Sequence, residues 1–174
     1  NSGEVLKISG PNGSGKTSLM KILAGLNSFE TGSIEYDNIK INSEKYNLDF
    51  LYLGHLAALS PELSCLENLK YTAHLGNNNL KPDFSDALTK VGLEKFENEL
   101  VGKLSAGQKK RIALSLLFIT QSKVWLLDEP FSALDSQAIK IIESRIEEHC
   151  NSGGLCILTT HQDCNIENIK EISL

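Results

Sequence analysis

Short apolar runs of strand length alternate along the chain with stretches in which apolar residues return every three or four positions. Val5 to Ser9 predicts a strand, Lys16 to Leu26 a helix, Ser33 to Ile41 strand material folded about an Asp37-Asn38 turn, and Phe50 to Leu53 a further strand. Ser64, Cys65, Leu66 and Glu67 have the S-x-x-E form in which a helix start caps itself. Leu66, Leu69 and Ala73 carry its apolar stripe until Gly76 and Asn77 to Asn79 close it. Asp86 to Val91 predicts a short helix, Lys109 to Thr120 a longer one, Val124 to Leu127 a buried strand, Gln137 to Cys150 a helix and Leu155 to Thr159 a final strand. The alternation predicts one α/β domain over residues 1–174 with a mostly parallel sheet, interrupted from about His55 to Gly102 by a helical subdomain. No internal repeat, low-complexity tract or linker breaks it.

With 174 residues, 41% of them hydrophobic, the chain can bury a core without disulfide or metal staples. A formal net charge of -5 excludes a nucleic-acid coat or a basic membrane-surface binder, so any polyanion must be held locally. The longest apolar run, Ile112 to Ile119, contains Ser115 and falls short of the roughly 20 residues that span a bilayer. Cys65, Cys150, Cys156 and Cys164 form no C-x-x-C pair, which fits free thiols in a reducing, cytosolic compartment. The one methionine is Met20, and the chain reads as trimmed at its front.

Residues 10–17 (Gly10, Pro11, Asn12, Gly13, Ser14, Gly15, Lys16, Thr17) fit G-x-x-x-x-G-K-[ST] between a predicted strand and a predicted helix. Gly13 and Gly15 let backbone N–H groups converge on phosphate oxygens, and the helix from Lys16 points its positive end the same way. Lys16 is suited to the β- and γ-phosphates and the Thr17 hydroxyl to Mg²⁺. The strand Val124 to Leu127 runs into Asp128 and Glu129, a place where ligands collect in parallel sheets. Asp128 there suits Mg²⁺ support, and Glu129 suits the general base that takes a proton from attacking water. Ser105 to Gln108 repeats the capping form as S-x-x-Q, yet Lys109, Lys110 and Arg111 follow, and cations in a first turn oppose the helix dipole. Small residues with basic groups behind them suit a second grip on an anion, and a head-to-tail pair of chains would supply that anion.

In these motifs and their order the chain resembles the nucleotide-binding subunits of ATP-binding-cassette (ABC) transporters, which are P-loop NTPases, over nearly its full length. Gly10 to Thr17, with Ser18 behind it, is similar to their Walker A loop, Leu104 to Gln108 to their signature sequence, and Val124 to Glu129 to their Walker B strand. Ser132, Ala133, Leu134 and Asp135 resemble the D-loop, and His161 the switch histidine. The resemblance implies ATP and Mg²⁺ as cofactors. It also implies that Ser105, Gly107 and Gln108 meet the nucleotide of a second copy, that Asp135 couples the two sites, and that His161 senses the γ-phosphate beside the base Glu129.

Two positions depart from the family: His55 stands where a glutamine usually contacts Mg²⁺ or water, and Ala106 where a glycine is common. Leu51 to His55, Glu62 to Leu69 and the alanine-bearing signature resemble the haem-exporter ATP-binding subunits of cytochrome c maturation. That likeness implies an integral membrane channel partner, a place on the cytoplasmic face of the bacterial inner membrane or the matrix face of the mitochondrial one, and ATP spent on haem export or delivery. An ABC ATPase with another substrate, or one outside transport, is the alternative. The family's adenine-stacking aromatic lies in a strand ahead of the phosphate loop, and no residue here is assigned that role. No sustained heptad lies between Thr17 and Leu104, against a chromosome-clamp or repair ATPase, and Glu129 argues against a switch that binds ATP without hydrolysing it.

Overall fold

Parallel strand pairing organises the first of two units in the computed structural model, made of Asn1–His55, Gln121–Pro130 and Ile146–Leu174. The structure describes residues 1–41, 49–55, 58–75 and 82–174. Strands β1 (Val5–Ser9), β4 (Phe50–Leu53), β5 (Val124–Asp128), β6 (Leu155–Thr159) and β7 (Lys170–Ser173) form one sheet in the order β4-β5-β6-β1-β7. Every neighbouring pair is parallel. A separate hairpin, β2 (Glu35–Tyr36) and β3 (Ile39–Lys40), turns through Asp37 and Asn38 at φ 52° and 60°, the left-handed pair that a tight two-residue hairpin needs.

Strand β5 is buried at all five positions, so its two faces each need a cover. On one face, Val124 and Leu126 pack with Ile8 and with Met20 of helix α1 (Lys16–Leu23). On the other, the Trp125 indole stacks on the imidazole of His149, in the last turn of α5 (Ser136–Asn151), with centroids 3.7 Å apart and planes 3° from parallel. His149 Nε2 donates to the Lys123 carbonyl at 3.2 Å, which sets the ring's orientation.

Sequence and structure differ here in two ways. Helix α1 stops at Leu23, where Gly25 enters the left-handed region, rather than at Leu26. Strand β7 has no counterpart among the predicted elements: its sequence, Lys-Glu-Ile-Ser, is exposed throughout and shows no apolar face, and its backbone pairing with β1 defines it.

The second unit, Leu56–Thr120 with Phe131–Arg145, is helical: α2 (Cys65–Leu75), α3 (Phe84–Lys90), α4 (Ala106–Ser115) and the first part of α5. The predicted cap of α2 is present. Ser64 Oγ accepts from the Glu67 N–H at 3.2 Å, and Glu67 Oε2 accepts from the Ser64 N–H at 2.8 Å, which holds the Glu67 carboxyl below the usual carboxylate range. Asn68, 2% exposed, accepts from the Ser60 N–H and donates to the Ser60, Leu63 and Ser64 carbonyls, pinning the loop that leads into α2. Asp83 caps α3, which therefore starts at Phe84 rather than Asp86. The closure of α2 by Gly76 and Asn77 to Asn79 lies outside the described residues. Among the described residues no helix is long and apolar enough to cross a membrane.

Candidate functional site

In the first unit the carboxyl ends of β4, β5 and β6 and the start of α1 surround a cavity of about 450 Å³ lined by Asn12, Gly13, Gly15, Lys16, Thr17, Ser18, His55, Asp128, Glu129 and His161. Parallel register explains the gathering. Leu53 pairs with Leu127 and Asp128 with Thr159, so His55, Glu129 and His161 leave adjacent strands at one level. Gly15 caps α1 at φ 96°, a conformation that side-chain-bearing residues avoid, and this turn delivers the helix N-terminus to the cavity. Gly10, Pro11 and Ser14 shape the loop behind that lining: Ser14 N–H donates to the Pro11 carbonyl at 3.2 Å, and Lys16 Nζ donates to the carbonyls of Gly10 at 2.8 Å and Pro11 at 3.0 Å.

The two carboxylates sit in different surroundings. Asp128 is 1% exposed and its Oδ1 accepts from Thr159 Oγ1 at 2.7 Å. Burial, and secondarily this carboxylate's charge, push the Tyr52 phenol above its usual range. Glu129 turns left-handed at φ 50°, its N–H donates to Thr159 Oγ1 at 3.0 Å, and its Oε1 lies 3.6 Å from His161 Nε2. A positive φ at a non-glycine residue is uncommon and clusters at functional sites.

Ser105, Gly107, Gln108 and Asp135 do not line that cavity. In the second unit they border another, of about 680 Å³, together with Arg111 and Ala133. Ser105 caps α4 reciprocally with Gln108, accepting from its N–H at 3.2 Å while Gln108 Oε1 accepts from the Ser105 N–H at 2.9 Å. A hydroxyl that accepts in this way keeps its own proton to donate. The helix thus begins at Ala106 rather than Lys109 and ends in a tighter turn over Leu116–Phe118. The three cations behind that start do not share one face: successive residues turn through ~100°, Lys110 is 6% exposed, and Arg111 pairs with Asp135.

A family model described as ABC transporter matches residues 1–132. The chain belongs to the ABC transporter family. ATP is that family's nucleotide and ATP hydrolysis its activity, so the chain is an ATP-binding, ATP-hydrolysing ABC subunit. It is 46% identical over 179 residues to the cytochrome c biogenesis ATP-binding export protein CcmA of Shewanella oneidensis, covering 100% of this chain and 82% of that protein. The CcmA of Histophilus somni is 42% identical over 176 residues, with 99% and 81% covered. Among solved structures, a dimeric post-hydrolysis state of the ATP-binding cassette MJ0796, bound to ADP and Pi, matches with a TM-score of 0.81 at 26% identity, over 93% of this chain and 76% of that one.

The buried hydroxyl of Thr159 ties the two acidic residues together, donating to the Asp128 carboxylate and accepting from the Glu129 N–H. Sequence reading passes over Thr159 because threonine is an ordinary strand residue; its only signal is a polar side chain ending an apolar strand. Thr159→Val keeps the shape and removes the hydroxyl. The variant is expected to lose about 1–3 kcal/mol of stability and roughly ten- to hundred-fold in ATP turnover through misplaced carboxylates, checked by thermal unfolding and steady-state hydrolysis. Elsewhere in the first unit, burial pushes the Cys156 thiol well above its usual range and raises the Cys150 thiol too.

Proposed function

We propose that two copies of the chain close head to tail on two ATP molecules, the phosphate loop of each facing Ser105 and Gly107 of the other. The observation that carries this reading is that each unit holds a different half-site. One cavity has a phosphate loop, a lysine and two carboxylates; the other has a capped helix start with a hydroxyl and a bare glycine and no phosphate loop of its own. The dimeric state of MJ0796 supports it.

In this reading the N–H groups of residues 12–18 and the Lys16 ammonium bind the phosphates, and His161 reads the γ-phosphate while its Nε2 faces Glu129. Glu129 Oε1 takes a proton from water as the water oxygen bonds to the γ-phosphorus and ADP departs. The hydroxyl of Thr17 and the carboxylate of Asp128 line the same cavity, and hard oxygen donors of this kind fit Mg²⁺. When bound, that ion would offset negative charge on the phosphates. Asp135, beside Ser105 and Gly107, links the two sites.

We further assign the sandwich to cytochrome c maturation, where it would drive an integral membrane channel subunit from the cytoplasmic face of a bacterial inner membrane, or the matrix face of a mitochondrial one, for haem export or delivery. Support comes from the CcmA relatives at 42% and 46% identity. Co-purification of the full-length protein from its own membranes is expected to recover an integral membrane subunit of haem handling; a sugar or peptide permease in its place would overturn the assignment.

A further inference from the structure

Arg111 looks in the sequence like one of three cations behind an anion-binding helix start, yet its guanidinium is engaged within the second unit. Nη2 lies 2.5 Å from Asp135 Oδ2, and Nη1 donates to the Val91 carbonyl at 3.1 Å. The other oxygen of that carboxylate, Oδ1, accepts from the Ala138 N–H at 2.8 Å, so Asp135 caps α5 while it pairs with α4. Both of its oxygens are therefore occupied by donors of its own chain.

The turn just ahead of Asp135 is under tension. Ala133 sits at φ 61°, and such a conformation persists at a non-glycine residue only where the surroundings over-determine it. Two restraints do so. The Leu134 N–H donates to the Phe131 carbonyl at 3.2 Å, and the Ala133 carbonyl lies over Gly107 so closely that a Cβ there would meet it at 2.6 Å. The missing side chain of Gly107 thus serves the contact between α4 and this turn as well as any approach by a phosphate.

We propose that Arg111 is a positioning residue: by holding Asp135 it keeps the Ala133 turn seated on Gly107, so that the signature helix and the D-loop meet the partner's nucleotide as one rigid face. The proposal rests on the sandwich reading. A guanidinium suits this task because its planar fork serves the carboxylate and the Val91 carbonyl together, which a lysine ammonium does not reproduce.

Arg111→Ala, Arg111→Lys, Asp135→Asn and the Arg111→Ala/Asp135→Asn double variant provide the test. Arg111→Ala is expected to lower kcat about ten-fold or more with KM for ATP within about three-fold of wild type, and Arg111→Lys to fall between the two. Because Arg111 acts through Asp135, the double variant should be no slower than the slower single one, within about two-fold. A fluorescent ATP analogue reads binding to the separate chain, which should be unchanged in Arg111→Ala because Arg111 does not line the cavity of Lys16 and Thr17. A kcat within about two-fold of wild type in Arg111→Ala, or a double variant whose loss is the product of the two single losses, overturns the brace. The sandwich itself is judged separately, by whether the wild-type protein doubles its mass in light scattering with Mg-ATP.

Discussion

Glu129→Gln is expected to reduce ATP turnover by roughly 10²–10⁴-fold, the usual contribution of a positioned general base, while leaving ATP affinity near wild type. The amide is nearly the same size as the carboxylate and tolerates the same backbone, so the left-handed turn at φ 50° and the N–H bond to Thr159 Oγ1 at 3.0 Å should survive. What is lost is the ability to accept a proton, together with the charge facing His161 Nε2 at 3.6 Å. With hydrolysis blocked and binding intact, Mg-ATP should hold two copies together, and light scattering should report a lasting dimer. Near-normal single-turnover hydrolysis would remove Glu129 from the role of base, and a solitary chain with normal ATP binding would count against the sandwich.

The second large effect is on binding. Lys16 is only 8% exposed, and its ammonium is held by the Gly10 and Pro11 carbonyls at the centre of the loop. The amine is thus held at the cavity that Lys16 lines, where phosphate oxygens of a bound nucleotide would take the place of those carbonyls. Hydrogen bonds to charged groups contribute about 1.5–3 kcal/mol, so Lys16→Ala should weaken ATP binding roughly ten- to hundred-fold. Lys16→Met, which keeps much of the apolar stem, separates that loss from looser packing. Titration calorimetry with ATP measures it, and unchanged affinity in both variants would exclude the lysine from the phosphate contacts.

Parts of the molecule that depend on neighbours in sequence were legible before the fold. The glycine turn that starts α1, the capping boxes of Ser64 and Ser105 and the acidic end of β5 are local patterns whose spacing dictates their geometry. Features that depend on which strands lie side by side were not. Thr159 gains its role from a register that places it beside Asp128, and nothing in Leu155 to Thr159 encodes that partner. Strand β7 was invisible for a related reason, since backbone pairing alone defines a polar, exposed edge. The pairing of Arg111 with Asp135 was hidden because three adjacent cations share a line of sequence but not a face of a helix. In each case the deciding contact joins residues far apart in the chain.

The stack between Trp125 and His149 has an experimental consequence. Trp125 is the chain's single tryptophan and 0% exposed, and both residues belong to the first unit. The protein therefore carries a built-in fluorophore, shielded from solvent in the first unit. Its emission will redden when water reaches strand β5, so the loss of that packing can be followed without any label.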